Sequence, residues 1–170
     1  MSLVAGLPSM RKQDAYELVR DCFARGKERP GFRLVHYSVQ GNHLHLIVEA
    51  SDRRALARGM QGLMVRIARR LNRLWDRGGT LFADRYHAHV LRTPREVRNA
   101  LNYVLANARN HGRRLAQGID HYASGWWFDG WREKPTMKGL EGIERPVATA
   151  RTWLLNEGWR RHGLIPLSLE

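Results

Sequence analysis

Cysteine is almost absent from this sequence. Cys22 is the only one among 170 residues, which excludes an internal disulfide and a zinc site built from several thiolates. No apolar run approaches the roughly 20 residues that a membrane-spanning helix needs, and the N-terminus carries no signal-peptide pattern. We therefore expect a cytoplasmic protein of one domain.

Acidic residues are also scarce relative to basic ones. The chain has 16 Asp and Glu against 29 Lys and Arg, a formal net charge of +13. A polyanion is the natural partner of such a surface, and nucleic acid is the commonest polyanion. The alternative is that the arginine content partly reflects the base composition of the source genome, so charge alone leaves the partner open.

Hydrophobic periodicity predicts six elements in the order helix, strand, strand, helix, strand, helix. They run from Ser9 to Gly26, Phe32 to Val39, His43 to Ala50, Arg53 to Trp75, Ala83 to Arg92, and from an N-cap at Thr93 to a C′ residue at Gly112. Preceded by one more strand, this order is that of an α+β fold, a ferredoxin-like split β-α-β antiparallel sheet. Only the short stretch SLVAG is present to form that strand.

The last predicted helix has the clearest boundary signals. Thr93 can act as N-cap, Pro94 suits the first helical position, and Glu96 completes a capping box. Beyond Gly112 the composition changes, and five of the six tryptophans lie past residue 125. We predict a core over residues 1–112 and a helical, aromatic C-terminal extension over residues 113–170. Its tryptophans fit either a packing cluster, which is the commoner arrangement, or a base-stacking platform.

Five arginines lie on the long central helix, about 100° around its axis from the apolar stripe. The pattern fits either a solvated surface or one that faces phosphates, and the scarcity of interleaved acid favours phosphates at least equally. These residues are Arg66, Arg69, Arg70, Arg73 and Arg77.

Two histidines begin the second predicted strand. Side chains alternate along a strand, so His43 and His45 share one face, while Leu44, Leu46 and Val48 point to the other face, into the core. Two adjacent imidazoles can chelate a divalent cation, although a third ligand must come from elsewhere. The alternative is a polar pair on a half-exposed strand, and a second pair, His87 and His89, shows how readily this spacing arises.

Two other families with alternating histidines fit poorly. Histidine-triad hydrolases need a third histidine where Ile47 stands, and cupins need a many-stranded barrel that this helical chain lacks. On the capped helix, Tyr103 and Asn107 are four residues apart and so share a face. Taken alone, this tyrosine is most simply a surface residue packed beside the core.

Together these motifs resemble a known family. The stretches NHLHLIVEA, FADRYHAHVLRT and LNYVLANARNHG resemble, in type and order, those of single-tyrosine HUH transposases, the insertion-sequence-200-like family. More closely, they resemble the subgroup called REP-associated tyrosine transposases, as do the C-terminal YASGWWFDGW and ARTWLLNEGWRRHGL. The resemblance extends from about Leu7 to Leu164, and four motifs in this order are fairly specific.

The resemblance implies a fold, a reaction and a site. The fold is the HUH nuclease palm with a tyrosine-bearing helix. The reaction is metal-dependent cleavage and transfer of single-stranded DNA at hairpin-flanked sites in the bacterial cytoplasm, through a 5′-phosphotyrosine. Tyr103 is then the nucleophile, and His43, His45 and Asn107 hold Mg²⁺ or Mn²⁺. The candidates for contacting DNA are the five arginines of the central helix together with Arg109, Arg113 and Arg114.

The sequence departs from the family pattern at two places. Ala108 stands where many members have proline, and family members have a longer first strand. The second departure motivates an alternative, a domesticated nucleic-acid-binding protein that no longer cleaves. Relatives include monomers and dimers, and we expect a monomer because the C-terminal extension can cover the surface used for pairing.

Overall fold

The computed structural model describes residues 1–110, 118–135 and 142–167, and the side chains of all these except 107–110. Four α-helices and three strands are present in this part of the chain. The helices are α1 Gln13–Gly26, α2 Arg53–Leu74, α3 Pro94–Asn110 and α4 Trp153–Asn156, and the strands are β1 Glu28–Arg29, β2 Phe32–Val39 and β3 Leu44–Ala50. Short 3-10 helices cover Ser124–Trp127 and Gly158–His162. None of the described helices combines the length and apolarity needed to cross a bilayer.

The three strands form one antiparallel sheet in the order β1, β2, β3. The predicted hairpin is confirmed: β2 and β3 pair from Val39 opposite Leu44 to Phe32 opposite Ala50, with one irregularity near Leu34. Strand formers in alternation and the Gly-Asn turn between them account for this pairing. The chain is therefore an α+β protein, as the sequence predicted.

A fragment of extended chain lies beside β3 in place of a regular first strand. Residues 1–4 lie between the start of β3 and the chain near Leu81. The backbone N–H of Leu3 donates to the carbonyl oxygen of Asn42 at 2.7 Å, and that of Val4 donates to Leu81 at 3.0 Å. The fragment therefore connects the start of β3 to a later part of the chain.

The predicted strand from Ala83 to Arg92 is wrong. The chain pairs only as far as Ala83, whose N–H donates to the carbonyl oxygen of Ser2 at 2.9 Å. A strand persists only where a neighbour supplies hydrogen bonds and a core covers one face. Residues 1–4 are too short to supply more bonds, and from residue 83 to residue 90 every side chain except the half-buried Tyr86 is exposed.

The helix predictions are confirmed except near some ends. The first helix begins at Gln13 rather than Ser9, because Ser9 takes part in a turn that precedes it, with its Oγ accepting from Arg11 N at 3.1 Å. The capping box is present: Thr93 Oγ1 accepts from Glu96 N at 3.2 Å, and Glu96 Oε2 accepts from Thr93 N at 3.0 Å. The predicted C′ residue of this helix lies outside the described residues.

The sheet separates two apolar cores. On one side, residues such as Tyr37 and Leu44 pack with α1 and α2. On the other side, Ile47 packs with α3 and with the C-terminal residues, including Leu101 and Trp159. His43 and His45 have the same alternation as Ile47, so they lie on the α3 side of the sheet.

The C-terminal tryptophans partly form a packing cluster, the commoner of the two arrangements that fit the sequence. Trp131 and Trp159 are buried in the α3-side core, where the rings of both contact Phe128. Trp131 Nε1 also donates to the carbonyl oxygen of Gly125 at 2.7 Å. Trp153 differs, because 47% of its surface is exposed.

Candidate metal and nucleophile site

The two imidazoles of the His43-x-His45 motif meet at the start of β3. Both side chains are half-buried, and their Nε2 atoms are 3.1 Å apart. Their ring centroids are 4.7 Å apart and the rings are nearly perpendicular. Backbone pairing of β3 with β2 on one side and with residues 1–4 on the other holds this end of the strand.

Asn42 orients the first of these rings. Its Oδ1 lies 2.9 Å from His43 Nδ1. Because an amide oxygen only accepts hydrogen bonds, Nδ1 carries the proton and Nε2 of His43 retains its lone pair. This is the arrangement in which histidine ligands of metal ions are usually held.

The geometry of the pair fits a divalent cation. Two nitrogen donors at adjacent positions of an ion, each with a bond of about 2.1 Å, lie about 3 Å apart, which matches the separation of the Nε2 atoms. Within the described residues, no group of three His, Cys, Asp or Glu side chains could hold a metal ion. A third donor must therefore be of another type, and the side chain of Asn107, the predicted one, lies outside the described atoms.

Tyr103 lies directly against this pair. Its ring centroid is 5.1 Å from that of His45, in an edge-to-face arrangement. Leu101 and Leu105 are fully buried on the same helix and pack in the core with Ile47, which fixes α3 against the sheet. Tyr103 itself remains 52% exposed, so a substrate can reach it.

A cleft of about 680 Å³ adjoins Tyr103. Its walls are β3, the first half of α2, α3, residues 86–91 and the segment from Thr152 to Leu155, and apolar side chains predominate. The second pair, His87 and His89, also lines this cleft. The site therefore consists of two imidazoles and a phenol on one side of the sheet, beside an open groove.

Comparison with known proteins identifies the family. The family model described as "Transposase IS200 like" matches residues 9–107, more than half of the chain. The chain belongs to this family. The matched range contains His43, His45 and Tyr103, and membership implies a transposase-like enzyme that acts on DNA. No curated protein and no solved structure matches the chain.

The predicted DNA-contacting arginines on α2, and Arg77 just after it, differ in their availability. Arg69 and Arg73 are exposed, and the side chain of neither makes a hydrogen bond or ion pair with another described residue. Arg70 forms an ion pair with Asp21 of α1, and Arg77 donates to Asn72 Oδ1 at 2.7 Å. The remaining predicted DNA contacts are Arg66, which is half-buried, and Arg109, Arg113 and Arg114, whose side chains lie outside the described residues.

Helix α2 packs on the side of the sheet opposite the His pair. Its buried residues, including Leu63 and Ile67, belong to the core shared with α1. The exposed Arg69 and Arg73 lie in the last turns of α2, on the side of the sheet opposite the His pair.

Glu49 is a residue of this transposase that the sequence did not single out. It is buried on the same side of β3 as His45, and its Oε1 accepts from Thr152 N at 2.8 Å and from Thr152 Oγ1 at 2.7 Å. The N–H of Arg151 donates to the same carboxylate at 3.0 Å. Glu49 therefore ties the C-terminal segment to the strand that carries the His pair, a long-range interaction without a local sequence signal.

A third histidine, His36, is buried on the α3 side of β2. Its Nδ1 lies 3.2 Å from Ser124 Oγ, and its ring lies edge-on to Phe128. Burial, which disfavours the charged form, lowers the pKa of His36 to about 3, with the Arg145 charge adding to the effect. The ring is therefore neutral at physiological pH and serves the packing of the C-terminal segment.

Proposed function

We propose that this protein is a metal-dependent, single-stranded DNA endonuclease and strand transferase of the HUH single-tyrosine type, related to REP-associated transposases. It cleaves at hairpin-flanked sites through a 5′-phosphotyrosine. The observation that carries the proposal is the contact of Tyr103 with His45, whose Nε2 is 3.1 Å from that of His43. Family membership supplies the transposase context.

The arrangement of the extended segments supports the palm of such an enzyme. Hydrogen bonds connect, in order across the sheet, β2, β3, residues 1–4 and residues 81–83. With α1 and α2 as the connecting helices, this is the order of a ferredoxin-like split β-α-β sheet. In this interpretation, residues 1–4 are the first strand and residues 81–83 the last.

His43, His45 and Asn107 are the residues that would hold Mg²⁺ or Mn²⁺. Imidazole donors favour Mn²⁺ over Mg²⁺. When bound, the ion neutralises charge on the scissile phosphate and aligns it. Asn42 would contribute by accepting a hydrogen bond from His43 Nδ1, which favours the tautomer whose Nε2 lone pair can bind the ion.

Tyr103 is the proposed nucleophile. Its phenolic oxygen attacks the phosphorus in line, and the bond from phosphorus to the 3′ oxygen breaks. The phenolic proton is lost to solvent, and the departing oxygen takes up a proton to give a free 3′-OH. The DNA 5′ end stays attached to the enzyme as a phosphotyrosine, so attack by a 3′-OH can reverse the reaction and join strands.

The arginines of α2 are proposed to contact the DNA backbone away from the cleavage point, and Arg109, Arg113 and Arg114 are proposed as further backbone contacts. Because Arg69 and Arg73 lie across the sheet from Tyr103, the hairpin stem is the part of the substrate that suits them. We propose a monomer as the working form, which light scattering at micromolar concentration can check.

One observation favours the alternative, a DNA-binding protein derived from such a transposase that no longer cleaves. The chain beside His43 is only the short fragment of residues 1–4, and its pairing with His43 is a single isolated bridge from Ser2. A first strand this short would weaken the sheet that carries the His pair, which would leave DNA binding intact and reduce metal binding. Both functions therefore predict that the protein binds DNA, but only the proposed function predicts that it cleaves DNA.

A covalent-adduct assay tests the proposed function. The protein is incubated with labelled hairpin oligonucleotides that have single-stranded flanks and with Mn²⁺, and SDS-resistant adducts are measured. We expect an adduct with the parent protein and none with Tyr103→Phe, which keeps the ring and should bind DNA within about threefold. An adduct formed by Tyr103→Phe would show that another residue is the nucleophile. Binding without an adduct on a broad hairpin set would favour the alternative.

The salt dependence of hairpin binding tests the arginine assignment. Replacement of both Arg69 and Arg73 by Glu should weaken binding and reduce the log–log salt slope by about one for each phosphate that the protein no longer neutralises. The matched control replaces both by Lys, which keeps the charge and should change the slope by less than about half a unit. An unchanged slope in the Glu variant would show that DNA does not bind this face of α2.

A further inference from the structure

Trp153 is exposed on a short helix, α4, that Leu155 anchors in the core. Its neighbour Leu155 is buried and packs in the α3-side core with Leu101. Two residues along a helix correspond to about 200° of rotation, so the indole points away from that core. As a result, 47% of the surface of Trp153 is exposed, whereas Trp131 and Trp159 are buried.

The indole is held in place from one side. A Cβ atom on Gly158 would lie 2.8 Å from Cζ3 and 3.0 Å from Cε3 and Cη2 of Trp153, so the glycine backbone packs closely against the ring. The guanidinium carbon of Arg161 is 4.8 Å from the ring centroid. Gly158 and Arg161 are three residues apart in a 3-10 helix, where such residues eclipse one another. Both neighbours therefore approach from one side, which leaves the opposite face of the indole open.

The positive charge beside this ring is available to a ligand. The guanidinium of Arg161 lies over the Trp153 ring and makes no hydrogen bond or ion pair with another residue of the described chain. The adjacent Arg160 is instead paired with Asp129 at 2.8 Å. An open aromatic face beside an uncompensated guanidinium is the combination that binds single-stranded nucleic acid.

The position of Trp153 relates it to the proposed reaction. Thr152, the residue before it, is bound by Glu49 on the strand that carries His45. Thr152 also lines the same cleft as Tyr103. The buried carboxylate of Glu49 thus places the start of α4 at the border of the cleft that leads to the nucleophile, and Trp153 follows directly after a residue that lines this cleft.

We propose that the open face of Trp153 stacks on a nucleobase of the single-stranded DNA that flanks the cleavage site, while Arg161 binds a neighbouring phosphate. This inference rests on the proposed function for its substrate. Stacking tolerates any base, because every base has a π-face. Trp153 is therefore a residue that positions the single strand, and the choice of DNA sequence depends on other residues.

Binding of a fluorescent 12-nucleotide oligo-dT and of a blunt duplex, measured by anisotropy at one fixed salt concentration, tests the inference. Removal of one base-stacking side chain costs about 1–3 kcal/mol, so Trp153→Ala should weaken oligo-dT binding by roughly 5- to 150-fold. It should change duplex binding by less than about twofold. Trp153→Phe, which retains an aromatic face, should lose much less. Equal losses on both DNAs would mean a structural role and overturn the inference, as would no loss on oligo-dT.

Abasic oligonucleotides distinguish the loss of base stacking from a change in folding, because a folding defect would weaken binding to DNA with or without bases. On an oligonucleotide that carries abasic sites in place of bases, Trp153→Ala and the parent should bind alike, because no base remains to stack. A penalty that persists on abasic DNA would overturn the stacking assignment. The measurement uses binding alone, so absence of the tyrosine adduct with an intact Trp153 effect would contradict only the proposed cleavage.

Discussion

The two His-x-His pairs of this protein have the same spacing but different surroundings. His43 and His45 lie at the start of β3, between β2 and residues 1–4, and their Nε2 atoms are 3.1 Å apart. His87 and His89 lie in a stretch without regular structure, and both are exposed. Neighbouring strands, and not the spacing of the histidines, therefore determine which pair is held in a chelating geometry.

The surroundings also determine what lies next to each pair. The first pair touches the phenol ring of Tyr103 through His45, and Asn42 fixes the His43 tautomer. Neither His87 nor His89 makes a hydrogen bond within the described part of the chain, although both line the cleft. If the comparison is correct, only the first pair should be essential to metal-dependent chemistry.

The largest effect on adduct formation should come from substitutions that compare the two His pairs directly. His45→Ala removes a proposed ligand, and we expect adduct formation to fall by more than about 100-fold, beyond what loss of an orienting group costs. Part of the activity should return at high Mn²⁺, since His43 and Asn107 remain. The matched control, His89→Ala, should stay within about threefold. Similar losses in both variants would contradict the distinction between the pairs.

An intermediate effect should come from the group that orients His43. Asn42→Ala removes the acceptor for Nδ1–H, and we expect Mn²⁺ affinity to fall by about 10- to 100-fold. Asn42→Asp keeps an acceptor at this position and should bind Mn²⁺ about as well as the parent. Titration followed by electron paramagnetic resonance of free Mn²⁺ measures both. Equal affinities for the Ala variant and the parent would show that the ring is fixed by other groups.

The smallest effect concerns His36, which is neither chelating nor exposed. Its pKa is lowered from 6.5 to about 3 in the folded chain, so the unfolded chain binds the proton more readily. The stability that results is present above pH 6.5 and is lost as the pH falls towards 3, with a slope of at most about 1.4 kcal/mol per pH unit. His36→Asn should reduce this slope in denaturant titrations, whereas His162→Asn, at an exposed site, should not. An unchanged slope would mean that His36 is protonated in the folded state.

Local sequence signals predicted the elements that local interactions stabilise. The hairpin of β2 and β3 follows from alternating strand formers around a Gly-Asn turn, and α3 follows from the capping box of Thr93 and Glu96. The resemblance to IS200-like transposases is confirmed by the family match. The roles of Tyr103 and of its proposed ligands remain predictions.

Interactions between distant parts of the chain had no such signal. Residues 84–92 have a strand-like composition, but the available neighbour ends at residues 1–4, so the ladder stops at Ala83. In the sequence, Glu49 has the pattern of an ordinary polar strand residue. In the structure it is buried, and its carboxylate accepts hydrogen bonds from the N–H groups of Arg151 and Thr152. The pairing of Arg70 with Asp21 likewise depends on how α2 packs against α1.

The sequence by itself determined the charge of this protein, its hairpin, its long helices and the fact that His43 and His45 share one face, because each depends on composition or on residues close together in the chain. The tertiary structure decided which histidine pair meets a tyrosine, which arginines stay free of acidic partners, and that Trp153 keeps one face open. These outcomes depend on interactions across 40 residues or more, such as those of α3 with β3 and of Thr152 with Glu49. No local pattern encodes such an interaction, because its free energy arises only when both partners are buried together.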